Sequence, residues 1–204
     1  MRHQATRDLH AFWDRVRGER AAPERTEIDP VAIRSLLGDT FMLEADPARH
    51  YPFCLAGERI NGLFNRGMKD TSFIELWPMQ ERRQIASLCA SVCDDTVPIV
   101  AGLVVAPQGH DPLPLEMLLL PLRHRGKTHS RILGVVSALA PPPWYGILPV
   151  QHFSLLSMRV LSQIGGGRRP IAGSAIPARR SGETALANTP AQRRAHLTVY
   201  QGGR

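Results

Sequence analysis

The spacing of apolar residues changes period along the chain, and each change predicts a different element. Between residues 6 and 20, Leu9, Phe12, Trp13 and Val16 follow an i, i+3, i+4, i+7 stripe, with Arg7, Asp14, Arg15 and Glu19 on the other side. That spacing predicts an amphipathic helix, ended by Gly18 and Ala21-Ala22-Pro23. Asp29 as N-cap and Pro30 as first helical residue predict a second, short helix that presents Ile33, Leu36 and Leu37 and stops at Gly38.

The period then drops to that of strands. Thr40 to Ala45 and Tyr51 to Ala56 are short apolar runs separated by Asp46-Pro47, which predicts an antiparallel hairpin. Ile60, Leu63 and Phe64 predict a helical turn or two closed by Gly67, and Phe73, Ile74, Leu76 and Trp77 a short turn capped by Thr71 or Ser72. After Pro78 a longer helix is expected over Met79 to Cys93, its inner stripe Ile85, Leu88, Cys89 and Val92. Three further strands are expected at Ile99 to Val105, Leu115 to Leu122 and Ile132 to Leu139, with a polar turn from Arg123 to Ser130 before the last. Pro141, Pro142 and Pro143 end that run. Residues 152–164, with Phe153, Leu156, Val160, Leu161 and Ile164 on one stripe, predict a closing helix stopped by Gly165-Gly166-Gly167.

Two strands, a helical cluster and a three-strand meander make an α+β fold: a five-stranded antiparallel sheet with helices on one face and flanking helices at both ends. The expected domain plan is an N-terminal helical cap at 1–38, the sheet domain at 39–140, a C-terminal helix at 141–164 and a tail at 165–204. The N-terminal stripe needs a surface of its own, either the second sheet face or a partner. Leu9, Phe12, Trp13 and Val16 are the residues expected at a homodimer interface if the second applies.

Charge changes the picture of the tail. The chain of 204 residues has 43% apolar and 21% charged residues, enough for a core, and a formal net charge of +7. Six of those seven charges come from Gly165 onward, where seven arginines face Glu183 alone. The body is nearly neutral, so a basic nucleic-acid-binding face on the folded part is disfavoured. The Gly, Pro, Ala, Arg and Ser of residues 165–204 predict disorder, with Leu197 and Val199 alternating in a stretch that suits an edge strand. Arginine pairs without aromatic neighbours make a poor stacking platform for nucleic acid. Three cysteines without framework spacing, a polar start and no apolar run of membrane-spanning length lead to a cytoplasmic expectation.

Glu27-Ile28-Asp29-Pro30, Tyr51 to Ile60 (YPFCLAGERI), Leu63-Phe64-Asn65-Arg66 and Ser72 to Trp77 (SFIELW) resemble, in order and spacing, a stand-alone PAS subfamily of alphaproteobacteria over about residues 8–140. Two positions depart from that pattern: Cys54 where a basic residue is expected, and Asn65 where a glycine usually follows Leu-Phe. The resemblance implies a PAS-like sheet whose helices roof a ligand-sized pocket, and a sensory or regulatory module that passes its signal to a protein partner. On that architecture Phe41, Leu43, Phe53, Leu55, Phe64, Phe73, Trp77, Ile85, Leu103, Leu118 and Val135 are expected between sheet and helices, with Arg59 and Asn61 as the polar contacts of a bound molecule.

Chemistry finds less purchase. No histidine lies between His50 and His110, which disfavours haem on the long helix. MKDTSFIELWP lacks the Cys, Asn and Gln of a photoreactive flavin site, so the cofactor stays unassigned. Cys89 and Cys93 share a helix face but lack further ligands to complete a metal site. Glu44, Asp46, His50, Glu116 and His129 are scattered over strands and turns, and no G-x-S-x-G, phosphate loop or HExxH occurs. The expectation is a binding module without catalysis; a small α+β enzyme with an apolar cavity, or nucleic-acid binding through the tail, are the alternatives.

Overall fold

The structure, a computed structural model, is described over residues 1–145 and 147–161, without the side chains of residues 127–129. It contains α1 (Gln4–Arg17), β1 (Thr40–Glu44), β2 (Phe53–Ala56), α2 (Glu58–Phe64), α3 (Met79–Asp94), β3 (Ile99–Val105), β4 (Leu113–His124), β5 (Lys127–Ala138) and β6 (Ser154–Val160). All strands pair antiparallel in one sheet of order β2-β1-β5-β4-β3-β6. The expected α+β class holds, with six strands instead of five.

Both faces of the sheet are covered. On the inner face α2, α3 and a 3₁₀ turn (Ile74–Leu76) pack over Phe41, Leu43, Phe53, Leu103, Met117 and Val136. On the outer face α1 buries Leu9, Phe12 and Trp13 against Met42, Leu118, Leu120, Leu133 and Val135. The Trp13 indole N–H donates to Pro121 O at 2.9 Å, two residues past the last β3–β4 pair, where that carbonyl has no strand partner on β3. Glu116 of β4 accepts from the N–H groups of Arg2 and His3 and from the Thr6 hydroxyl, fixing the start of α1. His3 caps α1 by accepting from Ala5 N–H through Nδ1, and its Nε2 lies 2.8 Å from Ala138 O on β5.

Four local expectations are corrected. Residues 30–36 are turns, followed by a 3₁₀ turn at Leu37–Asp39 instead of an α-helix. Bonds such as Leu36 N–H to Ile33 O (2.8 Å) span three residues, the tighter winding that suits a segment too short to nucleate an α-helix. That winding brings Leu37 O and Gly38 O so close to Gly57 that a Cβ there would lie 2.1 and 2.4 Å from them. The second correction is at α2, which ends at Asn65 (φ 48°, ψ 38°) and not Gly67. Asparagine takes the left-handed position that the resemblance assigns to glycine.

Third, β4 and β5 extend further toward their turn than expected. The polar stretch 123–130 is mostly strand, closed by a tight turn with positive φ at Arg125 (53°) and Gly126 (77°), the handedness two-residue hairpins need. Fourth, the expected helix at 152–164 is β6, paired with β3 through Val160↔Ile99 and Met158↔Ala101. The domain plan loses its C-terminal helix accordingly; Ile164 and the whole tail at 165–204 lie outside the described residues.

Candidate functional site

Eight of the expected pocket residues meet on the inner face: Phe41, Leu43, Phe53, Phe64, Phe73, Trp77, Ile85 and Leu103. They come from β1, β2, α2, the flanks of the 3₁₀ turn, α3 and β3, so the cluster forms only when these assemble. Its rings lie in mutual contact. Phe41 stacks on Phe73 at 5.7 Å, Phe53 stands edge-on to Phe73 at 5.8 Å, and Phe73 meets Trp77 at 5.8 Å. Such offset and edge-on pairs add to the area they bury. Phe153, Tyr51 and Met68 join the cluster without having been expected there, and Cys89 joins it from the inner stripe of α3. Phe153 stands edge-on to Phe64 at 5.1 Å and tilted on Trp77 at 5.4 Å.

One atom of the cluster is out of balance. Trp77 is fully buried, and its indole N–H has no hydrogen-bond partner among the described residues. The Tyr145 hydroxyl, in the loop after β5, is buried without a partner in the same sense. Burial pushes that phenol up to about 12, reinforced by Asp39 and opposed by Arg59. An unsatisfied buried polar group costs about 1–3 kcal/mol, so an acceptor supplied to Trp77 would gain that amount.

Five expected pocket residues sit elsewhere. Leu118 and Val135 point to the outer face, under α1. β4 and β5 are buried on both faces and their apolar runs are continuous, so period-2 reading gives no parity. Leu55 is 48% exposed. A bulge in the β1–β2 pairing puts Leu55 opposite Met42, which faces the outer core, so the face that Phe53 occupies is lost two residues later. Arg59 pairs with Asp39 on the surface, Nε to Oδ1 at 2.6 Å and Nη2 to Oδ2 at 3.1 Å. Asn61 has a structural role: Oδ1 accepts from Met68 N–H at 3.0 Å, and Nδ2 donates to Ala56 O at 3.4 Å.

The acid–base candidates hold the frame together. Glu44 pairs with Arg131 at 3.2 Å. Asp46 Oδ1 accepts from the N–H groups of His50 and Tyr51, supporting the positive φ of Tyr51. Glu116 anchors α1 as above, and the His129 side chain lies outside the described residues. Asp46, His50, Pro52, Asp70, Thr71, Ser72 and Glu75 line an open surface cavity of about 410 Å³. Within it His50 Nδ1 lies 3.4 Å from Asp46 Oδ2. The Ser72 hydroxyl donates to the His50 carbonyl at 2.8 Å and not to its ring, so these groups do not form a nucleophile–base pair.

The basic residue missing at Cys54 is supplied from two strands away. Arg131 of β5 places Nη1 2.9 Å from Cys54 Sγ. Burial, and then the Glu44 carboxylate, push that thiol up against the pull of Arg131. Cys89 is pushed up by burial, and Cys93 by burial and Asp94 to about 12; both are buried thiols against the cluster. Among the described residues no three His, Cys, Asp or Glu side chains are grouped to hold a metal ion. No helix among them is long and apolar enough to cross a membrane. Of the two surfaces expected for the N-terminal stripe, it takes the outer sheet face. Leu9, Phe12 and Trp13 are buried there, and the partly buried Val16 packs against them.

A family model described as PAS domain matches residues 1–137. Among solved structures, the PAS domain of a protein from Colwellia psychrerythraea is similar at 11% identity and a TM-score of 0.40, over 54% of this chain and 98% of that one. No curated protein matches.

Proposed function

The chain belongs to the PAS domain family, and from that premise we propose that it is a sensory or regulatory module that holds a small molecule between its helices and sheet and reports occupancy to a protein partner. The observation that carries this reading is the Trp77 indole N–H, fully buried in an aromatic cluster and without an acceptor among the described residues. Apolar walls with a few polar groups are the usual make-up of a small-molecule site. The molecule sought is flat and apolar with one hydrogen-bond acceptor, matched to the rings of Phe41, Phe73 and Trp77. Glu44, Asp46 and Glu116 are occupied in frame contacts, which supports binding over turnover.

Native mass spectrometry of the purified full chain, with an absorption spectrum, is the direct test. A co-purified mass is expected, and Trp77→Phe should weaken its retention about 3–10-fold, the worth of one hydrogen bond, with the fold intact. A protein at its bare mass, with no thermal shift from a library of aromatic carbonyl compounds, would remove the ligand from the reading and leave a protein-only regulator.

A further inference from the structure

Residues 147–160 lie beyond the stretch matched by the family model and touch two parts of the fold at once. Val150 N–H donates to Leu63 O at 2.8 Å, Phe153 N–H to Leu76 O at 2.8 Å, and Leu155 N–H to Glu81 Oε2 at 2.9 Å. The segment therefore crosses the ends of α2, the 3₁₀ turn and α3 before running along β3 as β6. There it pairs along Ile99 to Val104, all but the last residue of β3.

Its attachment is unlike that of the other strands. No residue of β6 is buried, and Leu156, Met158 and Val160 are 60%, 47% and 53% exposed. Its pairing with β3 is broken by a bulge between Gly102 and Leu103. The firm hold comes from two buried side chains, Val150 and Phe153. Segments with few buried contacts and exposed hydrogen bonds open well before the core does.

We propose that residues 147–160 are a releasable strap, and that its release frees the β3 edge for an extended segment of a partner protein. The freed edge offers a row of backbone donors and acceptors beside Ile99, Ala101 and Leu103. It fits a strand carrying apolar residues at alternate positions, as β6 does with Met158 and Val160 opposite Ala101 and Ile99. Release also withdraws the Phe153 ring from Phe64 and Trp77, so the edge and the aromatic cluster are mechanically joined. The strap opens whether or not a small molecule binds, and its failure is therefore distinct from failure of the ligand reading.

Native-state hydrogen exchange on the full chain with increasing denaturant tests the first half. Amides of β6, and the β3 amides bonded to it, are expected to exchange at least tenfold faster than those of β4 and β5, with a weaker denaturant dependence. Exchange of both sets at one rate and one denaturant slope would overturn the strap. For the second half, Met158→Pro breaks β6 pairing at an exposed position. In that variant a labelled peptide of the sequence SLLSMRV should bind and restore protection to β3, with binding at least tenfold weaker to the parent chain. Equal binding to both chains, loss of protection in β4 and β5 along with β3, or a dimer formed by exchange of β6 between two copies would each overturn it. If Met158→Pro fails to fold, Phe153→Ala carries the same comparison.

Discussion

Replacing Gly134 with alanine is the sharpest test of the inner packing. Gly134 lies on β5, opposite Phe41 of β1 and Leu119 of β4. A Cβ there would stand 2.2 Å from Phe41 Cζ, and 2.5 and 2.6 Å from Cε2 and Cε1, against about 3.5–4.0 Å for carbon atoms at optimal separation. The glycine is needed for space: the Phe41 ring lies across it. That ring cannot retreat, because Phe53 at 5.6 Å and Phe73 at 5.7 Å hold its other sides and it has almost no exposed surface. Overpacking of this kind costs about 1–3 kcal/mol, while alanine regains about 0.5–1 kcal/mol over glycine in a strand. Contacts this short put the cost at the upper end of that range, so a net loss of about 2 kcal/mol is expected, lowering Tm by about 4–8 °C for a domain of this size. Urea unfolding followed by circular dichroism and tryptophan fluorescence reads it. Adding Phe41→Leu should relieve the clash, so the double variant should be at least about 1 kcal/mol more stable than the sum of the single losses implies. Strict additivity, or a Gly134→Ala variant within about 0.5 kcal/mol of the parent, would refute the steric account.

Three further outcomes follow from single contacts. Partial burial would raise the Glu116 carboxyl, but hydrogen bonds from Thr6, Arg2 and His3 outweigh it and hold the group below its ordinary value. A depressed carboxylate stabilises the fold above its unfolded pKa, about 4.3, and that contribution is lost as pH falls through the folded value. Glu116→Gln should therefore flatten the acid side of the stability–pH curve, and an unchanged slope there would count against the clamp. Trp13→Phe removes the donor to Pro121 O and leaves a buried acceptor open, which should cost about 1–3 kcal/mol in urea unfolding; a neutral change would mean that water already serves that carbonyl. Cys89 and Cys93, buried and pushed up as thiols, should resist iodoacetamide at pH 8 in the native chain and react in denaturant. Labelling of either at the rate of a free thiol would show that α3 does not stay closed on the sheet.

Much of the inner layer was legible along the chain. The stripe Ile85, Leu88, Cys89, Val92 identified the buried face of α3, and the spacing of Phe53, Phe64, Phe73 and Trp77 around Gly57 and Pro78 placed the aromatic cluster. Local chemistry suffices there, because helix period and turn residues act over a few neighbours. The outward reading of α1 was equally local: its stripe required a surface, and the sheet supplied one.

What local pattern left open is decided where two distant segments meet. Leu118 and Val135 are as apolar as Leu119 and Val136, and only the covering of both sheet faces by α1 and α3 assigns them to opposite cores. Phe153, Leu156 and Val160 fit a helical stripe as well as a strand; the unfilled edge of β3 selects the strand, since its backbone groups need partners that a helix would keep for itself. The Trp77 N–H is an ordinary donor in the sequence and an unanswered one only after five elements have closed around it. Periodicity over a few residues settles which way an element curls. Burial and hydrogen-bond satisfaction depend on everything packed nearby, so they are fixed by the assembled chain alone.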